Sequence, residues 1–107
     1  DMSEPIKIRA TLQGEITDIR ILFQHPMETG QRKDPASGKA VPAHYIQTFR
    51  VLANGKPLID GQTNTSVSRN PMFAFKARGL KAGDKLLVSW QDSKGNERSD
   101  EGTVSAS

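Results

Sequence analysis

An all-β fold, an immunoglobulin-like antiparallel β-sandwich of about seven strands, is what this sequence predicts, on three observations. Apolar residues recur with a period of two, as on strands with one buried face. Turn signals interrupt that alternation roughly every ten residues, the rhythm of a sandwich. No stretch combines a helical apolar stripe with capping residues.

Ile6, Ile8, Ala10 and Leu12 alternate with Lys7, Arg9 and Thr11 in the first predicted strand. Gly14-Glu15 turns the chain, and Ile19, Ile21 and Phe23 then alternate with Asp18, Arg20 and Leu22. Ile16 is on the wrong parity, which predicts a bulge or frayed start near Thr17. Residues 25–43 form a long polar connection with Pro26, Gly30, Pro35, Gly38 and Pro42. It is too long for an ordinary hairpin, and such loops in compact domains are usually functional or disordered.

Tyr45, Phe49 and Val51 resume a strand, with Ile46 and Leu52 on its other face. Asn54-Gly55 predicts a type I′ turn into Pro57-Leu58-Ile59, because both central residues of that turn need positive φ. A Gly/Thr/Asn/Ser-rich segment over 60–71 ends in Asn70-Pro71. Phe73, Phe75 and Ala77 share one face of the next strand, and Lys81-Ala82-Gly83-Asp84 is a corner. Leu86, Val88 and Trp90 alternate with Leu87, Ser89 and Gln91, Trp90 being expected in the core. Residues 92–96 read as a hairpin loop, and 97–105 as a polar last strand at an edge or against a partner.

The 107 residues allow one domain, residues 1–107, since a second core has no room. A compact chain of this size has a radius of gyration of about 13 Å. Hydrophobic content of 35% implies a thin core, in keeping with further burial against another subunit. The net charge is +3, yet the longest basic run is Arg32-Lys33 and there are six aromatic residues. Nucleic-acid binding, which needs a contiguous basic footprint, is not expected. The absence of cysteine excludes disulfides, thiolate catalysis and cysteine-held zinc within the chain. The longest purely apolar runs have three residues, so no membrane span or signal-peptide core is expected. Asp1 reads as an extra residue ahead of a natural start at Met2, so the gene product is expected to lack an export signal.

His25 and His44 flank the long loop and would approach each other if it folds back. With Met27 they would make a soft donor set suited to copper. The blander reading is that His25 caps a turn and His44 begins a strand. Ser37 and Thr29 lie near histidines, with Glu28 or Asp34 to orient one, but no serine sits on a strand-turn-helix elbow. Asp92, Asp100 and Glu101 read as solvated charge. Gly55, Gly79 and Gly83 are isolated turn glycines rather than a phosphate cradle. Arg32, Lys33 and Lys39 make the loop locally cationic against Glu28 and Asp34, able to steer an anion or simply solvated.

The loop from Gln24 to Asp34, with His25-Pro26-Met27-Glu28-Thr29-Gly30-Gln31-Arg32-Lys33 at its heart, resembles the signature of the SoxZ family. Further matching pieces are Arg9-Ala10-Thr11-Leu12-Gln13-Gly14, Pro42-Ala43-His44-Tyr45-Ile46, Asn54-Gly55-Lys56 and Asn70-Pro71. The 81–85 corner, Ser89-Trp90 and Asp100-Glu101 complete them. Gln24 departs from the small polar residue of the family pattern.

The resemblance implies an immunoglobulin-like subunit without catalysis or cofactor that pairs with SoxY, whose C-terminal cysteine arm carries sulfur in thiosulfate oxidation. It implies transient visits to SoxAX, SoxB and SoxCD, and a periplasmic location reached together with SoxY. His25, Pro26, Met27, Glu28, Thr29, Gly30, Arg32, Lys33, His44, Tyr45 and Ile46 are the expected partner-binding residues, as specific motif positions without core duty. The competing readings are a periplasmic metal-binding sandwich using His25, Met27 and His44 and, more weakly, an enzyme domain.

Overall fold

The computed structural model describes residues 4–107, so the Asp1-Met2 start lies outside the described residues. Eight strands follow in order: β1 Lys7–Gln13, β2 Ile16–Leu22, β3 Ile46–Ala53, β4 Lys56–Gln62, β5 Met72–Arg78, β6 Lys85–Asp92, β7 Glu97–Thr103 and β8 Ser105–Ala106. They form two four-stranded sheets, ordered β5-β2-β1-β8 and β4-β3-β6-β7. Seven are the expected strands; the eighth is a two-residue parallel addition beside β1. The polar β7 is an edge strand, as its composition predicts.

The period of two sets which side chains meet. On the inner face of the first sheet, Ile8, Ile21 and Phe73 lie in one row and Ala10, Ile19 and Phe75 in the next. Leu86, Val88 and Trp90 answer from β6, and all three are buried. Phe23 bridges the sheets, meeting Phe49 edge-on at 5.6 Å and Phe73 at 5.7 Å between ring centroids. Such edge-to-face contacts add to the burial of apolar area that drives folding. Two inward positions require glycine. A Cβ on Gly61 would stand 2.2 Å from the Phe49 ring, and one on Gly102 would stand 2.7 Å from Ile8. The Asn54-Gly55 turn has φ of 49° and 81°, the two positive values that a type I′ turn needs.

Three expectations are corrected. β2 pairs with β1 in unbroken register from Ile16 to Leu22, so there is no bulge at Thr17. Thr17 instead takes the inward position, fully buried, and Ile16 lies on the outer face. Ile46 belongs to the core at 0% exposure, because the ladder between β3 and β6 shifts between Ile46 and Thr48 and returns it inward. The molecule is also longer than a compact globule, with extents of 53 × 21 × 20 Å and a radius of gyration of 15.8 Å. Strands of this length span only about 25 Å; the loops at the two ends make up the rest.

Candidate functional site

The long connection is folded, not loose. Glu28 and His44 bond each other's backbones at 2.7 and 3.0 Å, and Asp34 with Lys39 and Val41 with Arg32 close a ladder further out. Segment 23–25 is pinned from the other side. The Phe23 N–H donates to the Pro71 carbonyl at 3.0 Å, and the Asn70 N–H to the His25 carbonyl at 2.9 Å. The Asn70 side chain returns the bond, accepting from the His25 N–H at 2.9 Å. Asn70 does this at φ 52°, a left-handed conformation that Asn tolerates better than most residues. Met27 is also left-handed, at φ 51°, where a long side chain is unusual. Two bonds hold it there: its N–H donates to His25 Nδ1 at 3.1 Å, and its sulfur accepts from the Ile46 N–H at 3.2 Å.

These segments converge on Asp92. His25 Nε2 lies 2.9 Å and His44 Nε2 2.6 Å from Asp92 Oδ2, and Asn96 Nδ2 donates to the same oxygen at 3.2 Å. Oδ1 accepts the backbone N–H groups of Lys94 and Asn96 at 3.0 and 2.9 Å. The Asp92 and His25 side chains are 1% and 2% exposed, whereas His44 is 22% exposed and forms the rim. Trp90 stands edge-on to His25 at 5.0 Å and closes the floor. Above lies an open hollow of about 800 Å³, bordered by Gln24, Pro26, Arg69, Asn70, Lys94 and Asn96.

Chemistry follows from the proton positions. The Met27 N–H can only donate, so His25 Nδ1 accepts and the ring proton sits on Nε2, aimed at Asp92. Burial holds His25 below its ordinary pKa, against the raising effect of its bond to Asp92, and favours the neutral ring. Burial pushes the Asp92 carboxyl up. The bonds it accepts from His25, Asn96 and His44 together outweigh this and hold it below the carboxylate range. The result is a clasp: one buried carboxylate, five donors, and four chain segments joined at one end of the sandwich.

The three side chains also form a cluster whose donor atoms lie within 4.8 Å of one another. The proposed third metal donor is thereby corrected. Asp92, not Met27, completes the set, since the Met27 sulfur is engaged by Ile46. The proton arrangement opposes a metal there. An ion on Nε2 of a neutral imidazole leaves the proton on Nδ1, where the Met27 N–H already points.

Among the expected partner-binding residues, His25, Met27 and Ile46 are buried at 3%, 5% and 0% and do have core duty. Pro26, Thr29, Arg32 and Lys33 are exposed, and Glu28, Gly30, His44 and Tyr45 are half-buried. Arg32 spends its charge on Glu28 in a forked contact at 2.5 and 3.0 Å, which weakens the loop as an anion guide. Asp34 accepts from Ser37 Oγ at 3.1 Å and from the Ala36 N–H, so this serine belongs to a turn. The reading of Asp92 as solvated charge is overturned. Asp100 is half-buried as well, bound by Arg98 at 2.9 Å and by the Ile6 N–H at 2.8 Å. Parity could have found Asp92, which continues the inward series of Leu86, Val88 and Trp90.

Solved structures with the same fold include a superoxide reductase (neelaredoxin) from Ignicoccus hospitalis. It has a TM-score of 0.65 and 14% identity over 98% of this chain and 82% of that one. The hypothetical protein PH1083 from Pyrococcus horikoshii also aligns at TM-score 0.65, with 16% identity over 94% of this chain and 88% of that one. At these identities the likeness concerns fold alone. No curated protein matches the chain. Residues 6–103 match the family model described as Sulphur oxidation protein SoxZ, so the chain belongs to the SoxZ family and to sulfur oxidation.

Proposed function

We propose that this chain is the non-catalytic half of a two-chain sulfur carrier, pairing with a SoxY-type subunit whose cysteine bears the substrate. The observation that carries this reading is the family match over residues 6–103, on a chain with no cysteine of its own to hold sulfur. The clasp supports it in kind. Its histidines and carboxylate are spent on one another, which suits a rigid recognisable body more than a reaction centre. The same reading brings SoxAX, SoxB and SoxCD as transient partners and a periplasmic location shared with SoxY. Among the described residues, no helix is long and apolar enough to cross a membrane.

Two surfaces suit the stable pairing. One is the accessible part of the loop, Pro26, Thr29, Arg32 and Lys33, with Tyr45 beside it. The other is the outer face of the β4-β3-β6-β7 sheet. There Leu52 and Leu87 lie opposite each other, Leu87 being 38% exposed, with Glu101 on its other side and the small pair Ser89 and Ser99 one row along. A stable pair buries roughly 1,200–2,000 Å² in total. Co-expression with the cognate SoxY, followed by size exclusion with mass determination, is the test. A 1:1 complex is expected. A monomer that ignores SoxY overturns the reading, and stoichiometric copper or iron uptake through His25 and His44 would replace it.

A further inference from the structure

The outer face of the β5-β2-β1 sheet is strongly cationic. Its rows run Met72–Leu22–Lys7, Ala74–Arg20–Arg9, Lys76–Asp18–Thr11 and Arg78–Ile16–Gln13. Five cations thus stand against Asp18 within the rows and Glu15 at the margin, 3.7 Å from Arg78, which leaves this one face as positive as the whole chain's net +3. They occupy a patch of roughly 10 × 20 Å, from strand spacing and rise. All five are exposed.

Edge protection does not account for Arg20 at its centre, or for Arg9 being placed against it. Lys76 and Arg78 lie on β5, an edge strand, where cations guard against strand addition. β2 is covered along its whole length by hydrogen-bonded neighbours and needs no such guard, whereas β8 covers β1 only at Thr11 and Leu12, so Arg9 also borders an open edge. Yet Arg9 and Arg20 sit directly opposite each other, a like-charge arrangement that destabilises a sheet. The Cβ atoms of directly opposite residues lie about 4.5–5.5 Å apart, inside the roughly 8 Å screening length of physiological salt. Asp18 relieves Arg20 only through a contact of 3.5 Å.

We infer that this face, centred on Arg9 and Arg20, docks the acidic surface of proteins that the carrier meets transiently, an assignment that rests on the carrier reading above. Charge complementarity identifies the occupant. Two guanidinium forks are shaped to take carboxylates in pairs. The face has no aromatic side chain on which a base could stack, and its apolar residues, Met72, Leu22, Ala74 and Ile16, are scattered among the charges. Stable interfaces are depleted of charge at their cores, so this face is unsuited to permanent pairing. Electrostatic attraction instead raises association rates and allows fast release, as serial visits require.

The experiment uses the complex with SoxY and two variants of this chain, Arg9→Gln with Arg20→Gln, and Arg9→Glu with Lys76→Glu. Mass determination checks pairing and a thermal melt checks folding. Association with each enzyme proposed to visit is followed in about 0.01 M and about 1 M salt, where charge reaches roughly 30 Å and 3 Å. Both variants are expected to pair normally and to associate about tenfold or more slowly at low salt, with the difference gone at high salt. Unchanged rates with pairing intact overturn this proposal and leave the carrier reading standing. Loss of SoxY pairing in the variants alone gives the face to the permanent partner and overturns it too. Equal charge-dependent capture of a short DNA duplex or of phosphatidylserine vesicles makes the face a general polyanion surface, which also overturns it. If the unmodified chain forms no pair, the carrier reading fails and takes this proposal with it.

Discussion

The Asp92 clasp and the Arg9–Arg20 face use charge in opposite ways. At the clasp a carboxylate is buried and every lone-pair direction is met, by two histidines, one amide and two backbone N–H groups. On the face, five cations are left in water with Asp18 among them and Glu15 at the margin. The first arrangement spends charge on holding the chain, and nothing remains to offer a partner. The second leaves charge available and accepts a cost in the isolated sheet. Which residues stabilise the fold and which recognise another protein is therefore readable from satisfaction, not from residue type.

The sharpest way to break that contrast is to remove the hub of the clasp. Asp92→Ala strands the His25 and His44 ring N–H groups and two backbone donors, the first buried and the others part-buried. Each enclosed donor left without a partner costs about 1–3 kcal/mol, so with several lost together a fall of about 3 kcal/mol or more is expected. Asp92→Asn keeps one acceptor and is expected to cost about 1–3 kcal/mol. His25→Ala should cost more than His44→Ala, since His25 is enclosed and His44 lies at the rim. Urea unfolding measures all four; an Asp92→Ala loss under about 1 kcal/mol would reduce the clasp to an ordinary surface contact.

Acid tests the same hub without mutation. His25 is lowered from its ordinary 6.5 and Asp92 from its ordinary 3.8. In both cases the unfolded chain takes up a proton more readily than the folded one, so protons favour unfolding. Stability is expected in full above pH 6.5. It falls first as pH drops below 6.5, from His25, and again below 3.8, from Asp92. Urea midpoints across pH 3–8 should show both declines, and Asp92→Asn should shrink the lower one, leaving the part due to Glu28, Asp84 and Asp100, whose carboxyls are also lowered. A midpoint that rises on acidification would contradict a neutral His25 bound to an ionised Asp92.

Most of the fold was legible because alternation and turn chemistry are local. Ile19, Ile21, Phe73, Phe75, Leu86, Val88 and Trp90 all face as their parity says. The errors lie where long-range pairing overrides local pattern. Ile46 turns inward only because β6 shifts against β3, and Thr17 only because β1 holds β2 in register. The site was half legible. The two histidines flanking a long loop pointed to a meeting, but the group that joins them is 48 residues beyond His44 and looked like hairpin polarity. The basic face was invisible as a run, because Arg9 and Arg20 become neighbours only across a ladder.

The smallest expected effect sharpens the comparison from its other side. If Arg9 and Arg20 were part of what holds the sheet, reversing one should weaken the protein. If they are held in reserve for a partner, Arg9→Glu replaces a like-charge pair with an opposite-charge pair opposite Arg20, on the same outer face and with no core contact to lose. A favourable cross-strand pair contributes roughly 0.2–1 kcal/mol. The variant should therefore match or slightly exceed the original in urea at low salt, and the gain should fade as salt screens the pair. A clear loss of stability would mean that Arg9 does structural duty through its stem, and that the charge on this face is tied to the fold after all.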